Sequence, residues 1–250
     1  GHMAADVVAL GAALAATRIA TRPDATGRRT YGSYRAEVFA SGLTVLLMLG
    51  AAAYVTVEGV RRLGAEPQVA SGAMVLVGGV GLVVNVVALL LLRGGAAESL
   101  NVKGAYLEVV ADTVGSVGVL VAGVLVARTG QAWWDTAVAL AIALFVLVRA
   151  LLLAREVLAV LGQHAPPGVD PADVEVALAG VPGVRGVHDL HLWVLTSGMN
   201  VATAHLVTAP EARTQEVLEG ARQVMRRSFD IEHATLQVES DPTGCHEMSW

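Results

Sequence analysis

The chain has 250 residues, 54% of them hydrophobic and 16% charged, with a formal net charge of −5 and a mean hydropathy of +0.59. That balance is skewed away from an ordinary soluble domain and reads as a membrane protein joined to a soluble module; the net charge itself decides little. The single cysteine, Cys245, excludes an internal disulfide and a CxxC zinc knuckle, and nothing at the start resembles a cleavable signal peptide.

Five apolar stretches follow one another, over 2–21, 36–60, 71–92, 105–127 and 132–154. Each matches the roughly 20 residues that a bilayer-spanning helix needs. The first opens on His2 and Asp6. The second has Glu37 near its start and Glu58 near its end, where snorkelling or interfacial water relieves the charge. The fourth, GAYLEVVADTVGSVGVLVAGVLVA, holds Glu108 and Asp112 inside it. The fifth has Asp135 near its start and Arg149 toward its end. Glycines lie within the spans, among them Gly42, Gly50, Gly78, Gly79, Gly81, Gly115, Gly118 and Gly123. Most are read as sites of close helix approach.

The two buried pairs carry the chemistry. His2 and Asp6 are four residues apart, as are Glu108 and Asp112, so each pair shares one helix face. A charge at bilayer depth costs roughly 2.5–3.5 kcal/mol on insertion scales. One such pair is explained by helix-end polarity or an internal hydrogen bond. Two pairs of matching spacing on separate spans call for a neutralising partner, and a divalent cation does this best.

Loop charges set the orientation. Arg18, Arg22, Arg28, Arg29 and Arg35 surround the first loop, which is cytoplasmic by the positive-inside rule. Arg93 and Lys103 place the third connection on the same side. Arg61 and Arg62 fall on the external side but are outnumbered. Trp133 and Trp134 suit an external interfacial belt. The fifth span then returns the chain inward, which divides it into a membrane region over 1–157 and a cytoplasmic module over 158–250. In the module, 171–180 reads as a helix and VPGV as a turn. HDLHLWVLT and MNVATAHLVT read as strands joined by a Ser-Gly turn. Residues 210–228 read as an amphipathic helix and IEHATLQVE as a third strand, together a small α+β layer.

Five blocks now resemble the cation diffusion facilitator family of zinc and divalent-metal transporters. They are GHMAADVVAL, YGSYRAEVFA, NVKGAYLEVVADTVGSVGVLVAG, GVRGVHDLHLWVLTSGMNVATAHLV and IEHATLQVE, the last followed by a lone cysteine. The resemblance covers nearly the whole chain. It implies six membrane helices, of which five are visible here and the first would precede Gly1. Gly-His-Met is also a common vector-derived start, but Asp6 falls in register with the family motif, so these residues are read as native.

The resemblance places His2, Asp6, Glu108 and Asp112 around one tetrahedral ion. Zn²⁺ accepts nitrogen and carboxylate oxygen in such sites. Family zinc exporters commonly carry histidine where Glu108 stands. The harder site made by Glu108 should tolerate Mn²⁺, Fe²⁺, Co²⁺ or Cd²⁺ better, with zinc still first because His2 is retained. Asn85 either supports a ligand or holds helices together, the second reading being favoured. The implied activity is zinc efflux by proton antiport with alternating access. The sequence itself shows only titratable ligands, and no P-loop that would suggest an ATPase. A divalent cation channel and a broader Mn/Fe/Co/Cd exporter stand as alternatives. A scaffold would not need two intramembrane acidic pairs, and a proton-driven organic transporter would not need histidine-rich strands.

For the tail, the resemblance implies a metallochaperone-like cytoplasmic domain that pairs across a twofold axis into a homodimer. His188, His205, His233 and Glu239 match positions of a regulatory metal site. Cys245 and His246 are a further source of a ligand from the tail or from a partner chain. His191 either binds metal or makes a surface hydrogen bond, and His164 reads as ordinary. YGSYR reads as interfacial aromatics with a structural arginine, and Asp24 has no histidine beside it to build a peripheral site. The expected setting is a bacterial inner membrane, with metal ions, protons and lipid as partners and no nucleic acid.

Overall fold

The computed structural model describes residues 27–62, 71–94, 100–131, 133–196 and 198–240. Four long helices come first: α1 over Ala36–Arg62, α2 over Ser71–Leu92, α3 over Leu100–Thr129 and α4 over Trp133–Leu161. The first expected span, 2–21, lies outside the described residues. The other four expected spans are all helical. Three run on beyond their expected bounds, α1 ending at Arg62, α3 beginning at Leu100 and α4 continuing to Leu161. At 1.5 Å per residue the 29 residues of α4 reach about 43 Å, past the ~30 Å hydrocarbon core, so its last turns stand clear of bilayer depth. Arg155 and Glu156 are exposed in that stretch, which suits water.

The helices keep large apolar side chains on their outer surfaces. Phe39, Leu46, Val83, Leu91, Val114, Leu144 and Leu152 are all more than half exposed. Soluble monomers rarely leave such faces open, whereas lipid tails are as apolar as the side chains they would cover. By length and composition, Ala36–Arg61, Asp112–Thr129 and Trp133–Leu161 can each cross a membrane.

Among the described residues the chain forms two units, one of 45–152 and the other of 27–44 with 153–240. In the first unit α2 packs along α3. Gly78 lies at a close approach of the two: a Cβ there would meet Leu120 Cδ2 at 3.3 Å and Val119 Cγ1 at 3.4 Å. This is the small-residue contact that lets membrane helices approach. Gly50, Gly79 and Gly115 face open space instead, so the packing role expected of the glycines holds for only some of them. The Asn85 amide donates to Ser116 Oγ at 3.3 Å, tying α2 to α3 as the helix-joining reading requires.

The second unit carries the α+β layer. Helix α5 (Pro171–Ala179) starts on Asp170, whose carboxylate accepts from Ala172 N at 3.0 Å, with Pro171 at the first helical position. Strand β1 (Val184–Thr196) turns through Gly198, at φ +71, into β2 (Met199–Thr208). Helix α6 (Thr214–Phe229) then crosses over to β3 (His233–Glu239). The expected start at 210 moves to Thr214, because Pro210 belongs to the turn closed by Ala212 N on Ala209 O. The sheet order is β1-β2-β3, with β1 antiparallel and β3 parallel to β2.

One face of this sheet is the core. Ala202, Ala204 and Leu206 alternate along β2 and meet Val217, Ala221 and Met225, which recur every fourth residue on α6. Val174 and Leu178 of α5 close the layer. The intervening residues of β2 and β3, among them His205, Gln237 and Glu239, therefore share the opposite face. Thr196, buried at the end of β1, donates to Glu37 Oε2 at 3.0 Å. Glu37 thus has a protein partner where snorkelling or water alone was expected.

Candidate metal centre

Three residues meet on the face of the sheet opposite the core. The antiparallel register sets His188 directly opposite His205. The parallel register sets Gln237 beside His205, and Glu239 beside Val207 as the last pair of that same ladder. Glu239 is two residues beyond Gln237, so period-two alternation returns its carboxylate to the face that carries His205. Its Oε2 lies 3.1 Å from His188 Nε2 and its Oε1 lies 3.1 Å from His205 Nδ1. The two imidazoles stand edge to face, 5.0 Å between centroids. Glu239 has only 10% of its side chain exposed, and the histidines about a fifth.

The donor set fits a zinc-type ion. One ligand atom from each of His188, His205 and Glu239 lies within 4.8 Å of the others. With bonds of about 2.0–2.1 Å, tetrahedral ligands sit roughly 3.3 Å apart. Each 3.1 Å contact is near that edge length, the two histidines reaching different oxygens of Glu239. Two nitrogens and a carboxylate oxygen also match the ligand types zinc favours.

His233 does not join them. It pairs with Val201, four residues before His205 on β2, which places it about 13 Å along the sheet at ~3.3 Å per residue. There it is exposed, and its ring packs edge-on against Tyr31 with centroids 5.6 Å apart. Register is the physical reason for this correction: His233 shares the face of Glu239 but not its end of the strand. Tyr31 correspondingly contacts His233, which its interfacial reading did not anticipate. Cys245 and His246 lie outside the described residues.

His191 makes the hydrogen bond allowed for it. Its Nε2 sits 3.0 Å from Asp189 Oδ1. Asp189 is the residue that reading the sequence missed. It also approaches the cluster, its Oδ2 3.6 Å from His205 Nε2. The signal was the odd spacing of His188 and His191. A regular strand would send residues three apart to opposite faces, yet both belong to one histidine-rich block.

Of the intramembrane residues, His2 and Asp6 lie outside the described chain. Glu108 and Asp112 are one turn apart on α3, and Asp112 is half-buried. Ser116, which accepts from Asn85, is one turn further along the same face.

Apolar helices that can cross a membrane, followed by an α+β layer with a histidine–carboxylate cluster, define a multi-pass membrane protein with a C-terminal metal-binding type of module. The chain belongs to the cation efflux family. Residues 1–161 match its cation efflux transmembrane domain, and residues 166–241 match the cation efflux protein, cytoplasmic domain. The chain is 44% identical over 242 residues to the metal cation efflux system protein CzcD of Cupriavidus metallidurans, covering 96% of this chain and 76% of that protein. It is 31% identical to a cadmium, cobalt and zinc/H(+)-K(+) antiporter of Bacillus subtilis, covering 96% and 78%. Among solved structures it is similar to the metal-bound C-terminal domain of the Cupriavidus CzcD transporter. That match has 43% identity, covers 28% of this chain and 99% of that one, and has a TM-score of 0.28.

Proposed function

We propose that the chain exports divalent metal cations, zinc foremost, from the cytoplasm by proton antiport. The observation that carries this is similarity across 96% of the chain to a metal cation efflux protein and to an antiporter named for cadmium, cobalt and zinc. In this reading, residues 1–157 are the transport domain and residues 158–250 a cytoplasmic domain that dimerises and senses metal. The membrane is a bacterial inner membrane.

His2, Asp6, Glu108 and Asp112 hold the transported ion between two helices. Protons compete with the ion, because binding needs neutral imidazole and ionised carboxylate. Alternating access then converts a proton gradient into metal movement. His188, His205 and Glu239 form a second, regulatory site, in which zinc would tie β1, β2 and β3 together. Cys245 or a partner subunit supplies a further ligand there.

The test is metal uptake into sealed inverted vesicles under an imposed proton gradient. Saturable zinc flux coupled to proton release is expected. Non-saturating flux indifferent to the proton gradient would favour the channel instead. Selectivity gives a second expectation. Glu108 offers hard oxygen where a nitrogen would favour zinc. Glu108→His is therefore expected to shift competition toward zinc and away from manganese. No shift, or the reverse one, would mean that geometry rather than ligand chemistry sets preference.

A further inference from the structure

We infer that Asp189 is the positioning residue of the cytoplasmic cluster. When a metal ion binds, the Asp189 carboxylate keeps the His205 proton on Nε2, so that the Nδ1 lone pair faces the ion held beside Glu239. This rests on the reading that His188, His205 and Glu239 bind metal.

The backbone is built to deliver that carboxylate. Between His188 and His191, β1 advances three residues while its partners His205 and Thr203 on β2 are two apart. One residue is therefore extra, which makes a β-bulge. Asp189 takes the left-handed conformation there, at φ 52. Few residues other than glycine do so, and aspartate and asparagine are among them. The bulge returns His191 to the face of His188, since His191 pairs with Thr203 and His188 with His205.

The side chain then divides its oxygens. Oδ1 lies 3.0 Å from His191 Nε2, and Oδ2 lies 3.6 Å from His205 Nε2. The His205 ring thus stands between two carboxylates, with Glu239 Oε1 3.1 Å from Nδ1. A neutral imidazole has one lone pair and one N–H. A proton on Nδ1 would be spent on Glu239 and would block coordination. A proton on Nε2 is directed at Asp189 and frees Nδ1. A carboxylate behind a metal-bound histidine fixes tautomer and ring orientation in this way. The 3.6 Å gap is slightly beyond hydrogen-bond reach. Coordination at Nδ1 withdraws charge from the ring, makes Nε2–H a stronger donor and draws the contact in. His191 anchors the other oxygen.

The experiment uses the full chain in detergent, in an Asp112→Ala background so that the intramembrane site adds no signal. Zinc affinity is read by competition with a chromophoric chelator. Asp189→Gly keeps the left-handed backbone, which glycine adopts freely, but removes the acceptor. Affinity is expected to fall about 10–100-fold, as for other outer partners of metal ligands. Asp189→Asn tolerates the same backbone and keeps a carbonyl acceptor. It should stay within about threefold of the parent, since it gives up only the charge assistance of the bond. Parental affinity in the glycine variant would overturn the inference, because the bulge alone would then suffice. So would an asparagine variant as weak as glycine, because charge rather than hydrogen-bond acceptance would then govern. The joint His205→Ala and Glu239→Ala change, in the same background, separates this from the underlying reading. It should remove the tight site; zinc binding unchanged there would sink the metal reading itself, whatever Asp189 does.

Discussion

Asp112→Ala is expected to lower metal flux into sealed vesicles at least about 100-fold, beyond the ~10–100-fold that losing a ligand's outer partner costs. Under the proposed function Asp112 is one of four direct ligands, and three remaining donors leave a mid-membrane ion incompletely coordinated. Taking a carboxylate out of bilayer depth relieves a cost of roughly 2.5–3.5 kcal/mol. Two of the contacts that join α2 to α3 do not involve Asp112. These are the Asn85–Ser116 hydrogen bond at 3.3 Å and the seat of Leu120 and Val119 against Gly78. Expression and dimerisation should therefore match the parent. Undiminished flux would remove Asp112 from the transport site and would shift the search to other polar groups of the spans.

The membrane helices were legible because bilayer depth demands long uninterrupted apolar runs, and α2, with no charged residue over Ser71–Leu92, shows this in its simplest form. Their ends were less so. Nothing in the apolar pattern told α4 to continue to Leu161, because helix hydrogen bonding persists beyond the lipid as long as no breaker intervenes. The module's strands were legible from alternation, as in Ala202, Ala204 and Leu206.

Alternation names a face but not a position along it. His233 entered the cluster through the family resemblance, and although it shares a face with Glu239, the strand register separates it from His205. Alternation also fails wherever a strand gains a residue. The bulge at Asp189 is the case in point: a single left-handed residue changes which side His191 faces and brings a carboxylate to His205. Such a bulge is a tertiary solution, written in the pairing of two strands and not in either alone. Glu37 is similar, since its partner Thr196 is 159 residues away.

Glu239→Ala should have the second large effect, weakening zinc binding to the cytoplasmic cluster by more than about 100-fold, again beyond the loss of an outer partner. Both of its oxygens are engaged, one with each imidazole at 3.1 Å, so it touches both histidines. Its removal deletes a ligand and also the group that keeps the two rings converging. An ion-pair role without metal makes a different forecast. In that case Glu239→Ala would lower thermal stability equally with and without zinc, because nothing in the pair would depend on the ion. If the cluster binds zinc, the parent gains thermal stability as zinc rises, by ligand linkage, and the variant does not. Acidification should weaken the parent's zinc response, since protons compete for the imidazole nitrogens and the carboxylate that the ion requires. Melting curves of the full chain with and without zinc, in the Asp112→Ala background, would decide between the two. A zinc-dependent rise that persists in Glu239→Ala would place the responsible ion elsewhere in the chain.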